Sequence, residues 1–143
     1  MFLHLELPEA WTLTHEPHQS VAVSPTGVIV AWGPLLVASG DDARLVNKLL
    51  AVALDGRQVT PGEPVRRRTD RGWSYTETPA VLDDGEQRLA VVYQFDEWRG
   101  TALVRVPIGE IPPEVQAALA RAVPDWRSGG EIVCVADLYE GVP

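Results

Sequence analysis

Arg66-Arg67-Arg68, with Arg71 close behind, is the one basic cluster in a chain whose net charge is −8. Guanidinium forks pair bidentately with carboxylates and phosphates. On a strand, Arg66 and Arg68 share a face and Arg67 takes the opposite one. The cluster therefore offers a place for an acidic partner or a phosphate group. Its other role is a solvated edge strand that charge protects from aggregation. Trp98 and Arg99 form a second candidate, in the turn Asp96-Glu-Trp-Arg-Gly100. Tryptophan is enriched at interface hot spots. In such a turn the ring either folds back on the sheet or meets a partner. Arg66, Arg67, Arg68, Arg71, Trp98 and Arg99 are thus the expected partner-binding residues.

The remaining reactive side chains point to structure. His15-Glu-Pro-His18 is a close histidine pair, but Pro17 biases Glu16 away from the helix that would align both rings on a metal. On a strand, positions three apart face opposite sides. We read them as turn histidines, with no metal. Cys134 lies in the apolar run Ile132-Val-Cys-Val-Ala136, whereas a catalytic thiolate needs an electropositive, partly open site. It reads as a small core hydrophobe. Asp41-Asp42, Asp83-Asp84 and Asp96-Glu97 could serve acid–base chemistry, yet each falls at a helix start or turn, where capping explains it. No glycine-rich nucleotide loop, Walker lysine or nucleophile elbow occurs. No cofactor and no catalytic set are expected.

The bulk properties narrow the class. At 143 residues, with one cysteine and 22% charged residues, the chain reads as one soluble α+β domain without a disulfide framework. Net acidity disfavours nucleic acid and anionic membranes as partners. Met1-Phe-Leu-His-Leu-Glu-Leu7 lacks a basic n-region, and Glu6 interrupts its apolar run, so a cytoplasmic location is expected. No stretch reaches the ~20 apolar residues of a membrane helix.

The elements follow from periodicity. Strands are expected over Phe2–Leu7, Trp11–His15, Ser20–Val23 and Val28–Trp32. Ser24-Pro-Thr-Gly27 has the type I turn pattern of a hairpin. Gly33-Pro34 ends or kinks the fourth strand. A helix is expected from Asp42 to Leu54, capped by Ser39 or Asp41, with Gly56 at its left-handed exit. A turn-rich segment with a short strand follows to Pro64. From Val65 the chain reads as a meander with strands Gly72–Thr78, Gln87–Phe95 and Thr101–Ile108. Leu89, Val91, Tyr93 and Phe95 make one apolar face of the middle strand, and Ala90 and Val92 the other. Such a strand is central and covered on both sides. A second helix opens at Pro112-Pro113 and stops at Pro124. Residues Asp125–Gly130 read as a loop and Glu131–Ala136 as a last strand. The sum is a largely antiparallel sheet of about seven strands with two helices.

Leu7-Pro-Glu-Ala-Trp11, the early strands, the helix at Asp42–Leu54 and a meander opened by Thr69-Asp-Arg-Gly-Trp73 resemble the PsbP-like fold. That fold includes small acidic bacterial chaperones of type VI secretion effectors, the Eag type. The resemblance implies an α+β domain that binds apolar effector segments, commonly as a dimer. It fixes no binding residue. The expected function is a non-enzymatic protein-binding module, chaperone- or adaptor-like, with another protein as partner and a homodimer as its own assembly. A toxin-immunity or regulatory protein is the alternative, since complementary charge speeds association with basic targets. An enzyme or small-ligand binder with a dispersed site is the third reading.

Overall fold

A computed structural model describes residues 2–37, 41–125 and 133–134. The early strands are β1 (Phe2–His4), β2 (Thr12–His15), β3 (Ser20–Val23), β4 (Ile29–Trp32) and β5 (Leu36–Val37). Helix α1 (Asp42–Leu50) leads to β6 (Val59–Pro61) and β7 (Val65–Arg68). The long strands β8 (Ser74–Leu82), β9 (Gln87–Phe95) and β10 (Trp98–Val106) come next. Helix α2 (Pro113–Ala120), β11 (Val123–Asp125) and β12 (Val133–Cys134) complete the described elements.

The main sheet runs β2-β3-β4-β10-β9-β8, and β8 carries both β7 and β6 on its outer edge. Its pairs are antiparallel except β12 on β5. With β5 and β12 it holds ten strands among the described residues, beside the separate pair β1–β11. The expected α+β class with an antiparallel sheet is observed. The expected seven strands undercount it, because several strands are only two to four residues long and leave little periodicity to read.

Three hairpins share one construction. In each, the residue before the turn donates its N–H to a carbonyl four residues on, and accepts from a glycine three residues on: Ser24 with Val28 and Gly27, Thr69 with Trp73 and Gly72, Leu82 with Glu86 and Gly85. Each glycine has φ between 89 and 92°. This is a type I turn closed by a left-handed bulge residue, a position glycine fills without steric cost.

Strand β9 is central, as its two-sided apolar pattern requires. Leu89, Val91, Tyr93 and Phe95 join Leu3, Trp11, Trp32, Val104 and the α2 residues Val115 and Leu119 in one core. Ala90 and Val92 join Leu36, Leu103 and the α1 residues Leu45, Leu49 and Leu50 in a second. Burying each such large apolar side chain is worth about 1.5–3 kcal/mol. Tyr93, wholly buried, donates its hydroxyl to the Leu119 carbonyl at 2.7 Å and ties α2 to the sheet.

Several boundaries differ from the sequence pattern. Helix α1 ends at Leu50, four residues early, although Asp41 caps its start by accepting from the Ala43 N–H. Beyond Leu50 the chain turns through Ala53 and Asp55, both with positive φ, before Gly56. The carbonyls of Leu50, Val52 and Ala53 there accept from Arg88 instead of continuing the helix. Strand β1 stops at His4 because β11 offers it only three residues. Strand β8 runs on through Pro79, whose missing N–H falls where β7 gives way to β6. Strand β10 starts three residues early behind a tight turn and ends before Pro107. Ile108 is therefore 92% exposed and lies outside the strand expected to end with it. Helix α2 stops at Ala120, and Pro124 lies inside β11 opposite Leu3, so Asp125 is strand rather than loop. Gly33-Pro34 does break the fourth strand, into β4 and β5, both laid on β10. Ser39, residues 126–132 and 135–136, and with them Trp126 and most of the last expected strand, lie outside the described residues.

Candidate partner-binding site

Strand β7 forms a rim of the main sheet, and all four of its residues are exposed. The hairpin at Thr69–Trp73 fixes which backbone groups it keeps free. Thr69 donates to Trp73, and Arg67 stands opposite Tyr75. Antiparallel ladders alternate, so Val65 and Arg67 spend their N–H and C=O groups on β8. Arg66 and Arg68 turn theirs outward.

The expected site residues divide between the two faces. Arg68 is opposite Ser74, Ser74 opposite Gln94, and Gln94 opposite Arg99, so the four share one row on the α1 side. Arg66 stands in the next row, with Thr76 and Val92. Arg66, Arg68 and Arg99 thus lie on one face, spread over roughly 14 Å across four strands at the usual spacing. Arg99 is already engaged: its Nε lies 3.1 Å from Asp42 Oδ1 in the first turn of α1, and Gln94 donates to the same carboxylate. Its structural task is to seat α1. Arg68 donates to the Gly72 carbonyl and steadies the hairpin turn. Arg66, Arg68 and Arg71 have no carboxylate partner among the described residues. Arg71 is exposed in the turn after β7.

Arg67 lies on the opposite face. Its Nε comes within 2.6 Å of Glu77 Oε1. The guanidinium meets that oxygen without aiming an N–H along it, so the contact is an ion pair rather than an aligned hydrogen bond. Glu77 is buried beside Tyr75 and under α2, where Gln116 also supports it. Burial pushes its carboxyl above the usual glutamate range, and Arg67 only partly offsets this. Burial likewise raises Tyr75, and lifts Tyr93 far above the ordinary phenol value. The two rings lie 4.9 Å apart. Glu77 had one sequence signal: an acid at an inward position of a strand, opposite Val91. It meets β7 through Arg67.

Trp98 opens β10 opposite Phe95 and Val37, half-buried, and packs against the larger core. Trp73, also half-buried, meets Phe95 edge-on at 5.2 Å. Trp11 and Trp32 are core residues. The tryptophan content thus serves packing in every described case.

The histidines do not converge. His15 Nδ1 is 2.8 Å from the Ser20 hydroxyl, and His18 is exposed in a bend. Among the described residues, no three His, Cys, Asp or Glu side chains could hold a metal ion. Cys134 stands in β12, parallel to β5. Among the described residues, no helix is long and apolar enough to cross a membrane. Neither a family model nor a curated protein matches the chain.

Proposed function

We propose that this domain is a protein-binding module of the chaperone or adaptor kind, acting in the cytoplasm by binding rather than by catalysis. The observation that carries the reading is the pair of open rims on the main sheet. Strands β2 and β7 each expose all four residues and pair on one side only among the described residues. Such edges are templates for strands of other chains. An apolar strip supports the same reading. Val21, Ile29 and Ala31 are half-buried and Val23 is 37% exposed, on the face whose helix packs against β9 and β10 instead. The resemblance to the PsbP-like fold points the same way, toward Eag-type proteins that hold effector segments. Self-association through the sheet belongs to this reading, and light scattering at high concentration checks it.

The deciding experiment is affinity capture of the tagged protein from its native cell. It is followed by reconstitution of any captured protein from purified components. A stoichiometric complex supports the reading. Failure to capture any protein, together with turnover of a small molecule, overturns it.

A further inference from the structure

Ten arginines lie among the described residues, and their partners separate them. Arg57, Arg67, Arg88, Arg99 and Arg105 each meet a carboxylate. The chain has 20 acids for 12 bases, so carboxylates are in surplus. Three of the arginines without one are nevertheless gathered at β7: Arg66, Arg68 and Arg71.

We propose that the outer edge of β7 accepts an acidic, extended segment of another protein as an added strand. Carboxylates two residues apart on that segment reach Arg66 and Arg68. This rests on the protein-binding reading above and names the partner's chemistry. Two properties coincide at the same residues. The outward N–H and C=O groups of Arg66 and Arg68 supply the ladder, and their side chains, both on the α1 face, supply the charge. A strand added there places every second side chain on that face. Acids at alternate positions are thus the matching pattern, and Arg71 lies beyond the end of the strand for a third.

Neighbouring residues set the length. Pro61 and Pro64 precede β7 and lack N–H donors, and the Thr69–Trp73 turn follows it. The ladder is therefore about four residues, or ~13 Å, long. Charge also argues against a second copy on this rim. Two antiparallel β7 strands would set arginine against arginine, and like charges directly opposite are unfavourable.

The test uses the intact protein and a blocked, fluorescein-labelled peptide of alternating threonine and glutamate, six residues long, at low ionic strength. Binding is expected, with slowed hydrogen exchange at the Arg66 and Arg68 amides. Arg66→Glu with Arg68→Glu should weaken it at least tenfold, and the glutamine version of the peptide should bind comparably weakly. Arg66→Pro is read against Arg66→Ala: both lose the guanidinium, but only proline also removes the outward donor while leaving the ladder to β8 intact, so the fold should hold and proline should weaken binding further than alanine. Unchanged melting and circular dichroism verify that each variant folds. Equal binding by Arg66→Pro and Arg66→Ala would overturn strand addition, and equal binding of the glutamine peptide would overturn the acidic match. A partner captured from cells that binds Arg66→Pro as well as Arg66→Ala would overturn this assignment and leave the protein-binding reading standing. Loss of all partners from wild-type protein would remove that reading itself.

Discussion

The Glu86 carboxylate lies 2.7 Å from Arg88 Nε, and neither side chain is more than a tenth exposed. Around this pair the end of α1 is fastened to the sheet. Arg88 donates to the carbonyls of Leu50, Val52 and Ala53, and Arg57 donates to those of Leu54 and Ala53. Cations at a helix C-terminus oppose the negative end of its dipole and satisfy carbonyls that lack intrahelical partners. Arg57 and Arg105 also approach Glu86, at 3.5 and 3.3 Å.

Arg88→Met is expected to destabilise the fold by about 3–5 kcal/mol, the range for breaking one side of a buried pair. The loss leaves Glu86 short of a partner and takes the donor from the Leu50 and Val52 carbonyls, while Ala53 keeps Arg57. Urea denaturation measures it as a lower midpoint; a change below ~1 kcal/mol would mean that the cluster is dispensable.

Glu86 and Glu77 should respond to pH in opposite senses. Burial alone would raise Glu86, but the hydrogen bonds from Arg88 and Arg105 outweigh it and hold the carboxyl below its ordinary value. A lowered folded pKa gives stability present above the unfolded value and lost as pH falls through the folded one. Glu77 is raised, so its favourable contribution exists in acid and is lost as pH rises through its folded pKa. Glu86→Gln should therefore lower the melting temperature at pH 7 and flatten the acid limb of the stability profile. Glu77→Gln should raise the melting temperature at pH 7 and leave it unchanged in acid. Thermal melts across pH 3 to 8 separate the two.

Tyr93→Phe removes one hydroxyl and leaves the Leu119 carbonyl without that donor. That carbonyl keeps the Ala122 N–H at 3.4 Å, so a loss of about 0.5–1.5 kcal/mol is expected, the worth of one hydrogen bond. Hydrogen exchange should report it as faster opening of α2 than of β9. Equal loss in both would show that α2 is held by packing alone.

Gly100→Ala tests the tight approach of β10 to the core. An added Cβ would lie 3.0 Å from a Phe95 ring carbon and 3.3 Å from a Leu3 methyl. Overpacking of this kind costs about 1–3 kcal/mol. A neutral substitution would mean that the Phe95 ring shifts freely.

Trp98→Ala removes a half-buried ring that packs on the same core. We expect a stability loss of about 2 kcal/mol, below the range for a wholly buried tryptophan. Any effect on partner affinity must exceed what that loss explains, which calorimetry and melting on the same variant resolve.

The fold was legible where the pattern was long. Leu89–Phe95 is apolar on both faces over nearly its whole length and announces two covered faces. The helix cap, at Ser39 or Asp41, and the Ser24-Pro-Thr-Gly27 turn were legible from residue types that those backbone positions favour. What escaped notice was set by distant partners. The early end of α1 depends on Arg88, 38 residues beyond Leu50. The three-residue β11 exists because Phe2–His4 lies beside it. At the site, periodicity gave the split of Arg66 and Arg68 from Arg67 correctly. It could not show that Arg99 is engaged by Asp42, nor that Arg67 holds a buried Glu77, because both pairings are made in space.

The two kinds of strand pairing also set an order of events. Strands β8, β9 and β10 are joined by short turns, so their contacts close small loops and can form early. Pairing β1 with β11 brings Phe2 to Asp125, across almost the entire described chain, and its closure entropy is met only after the sheet exists. The meander is therefore the expected nucleus, and the β1–β11 clasp the last step. Mutations in the hairpin turns should slow refolding, while changes in β1 should mainly speed unfolding.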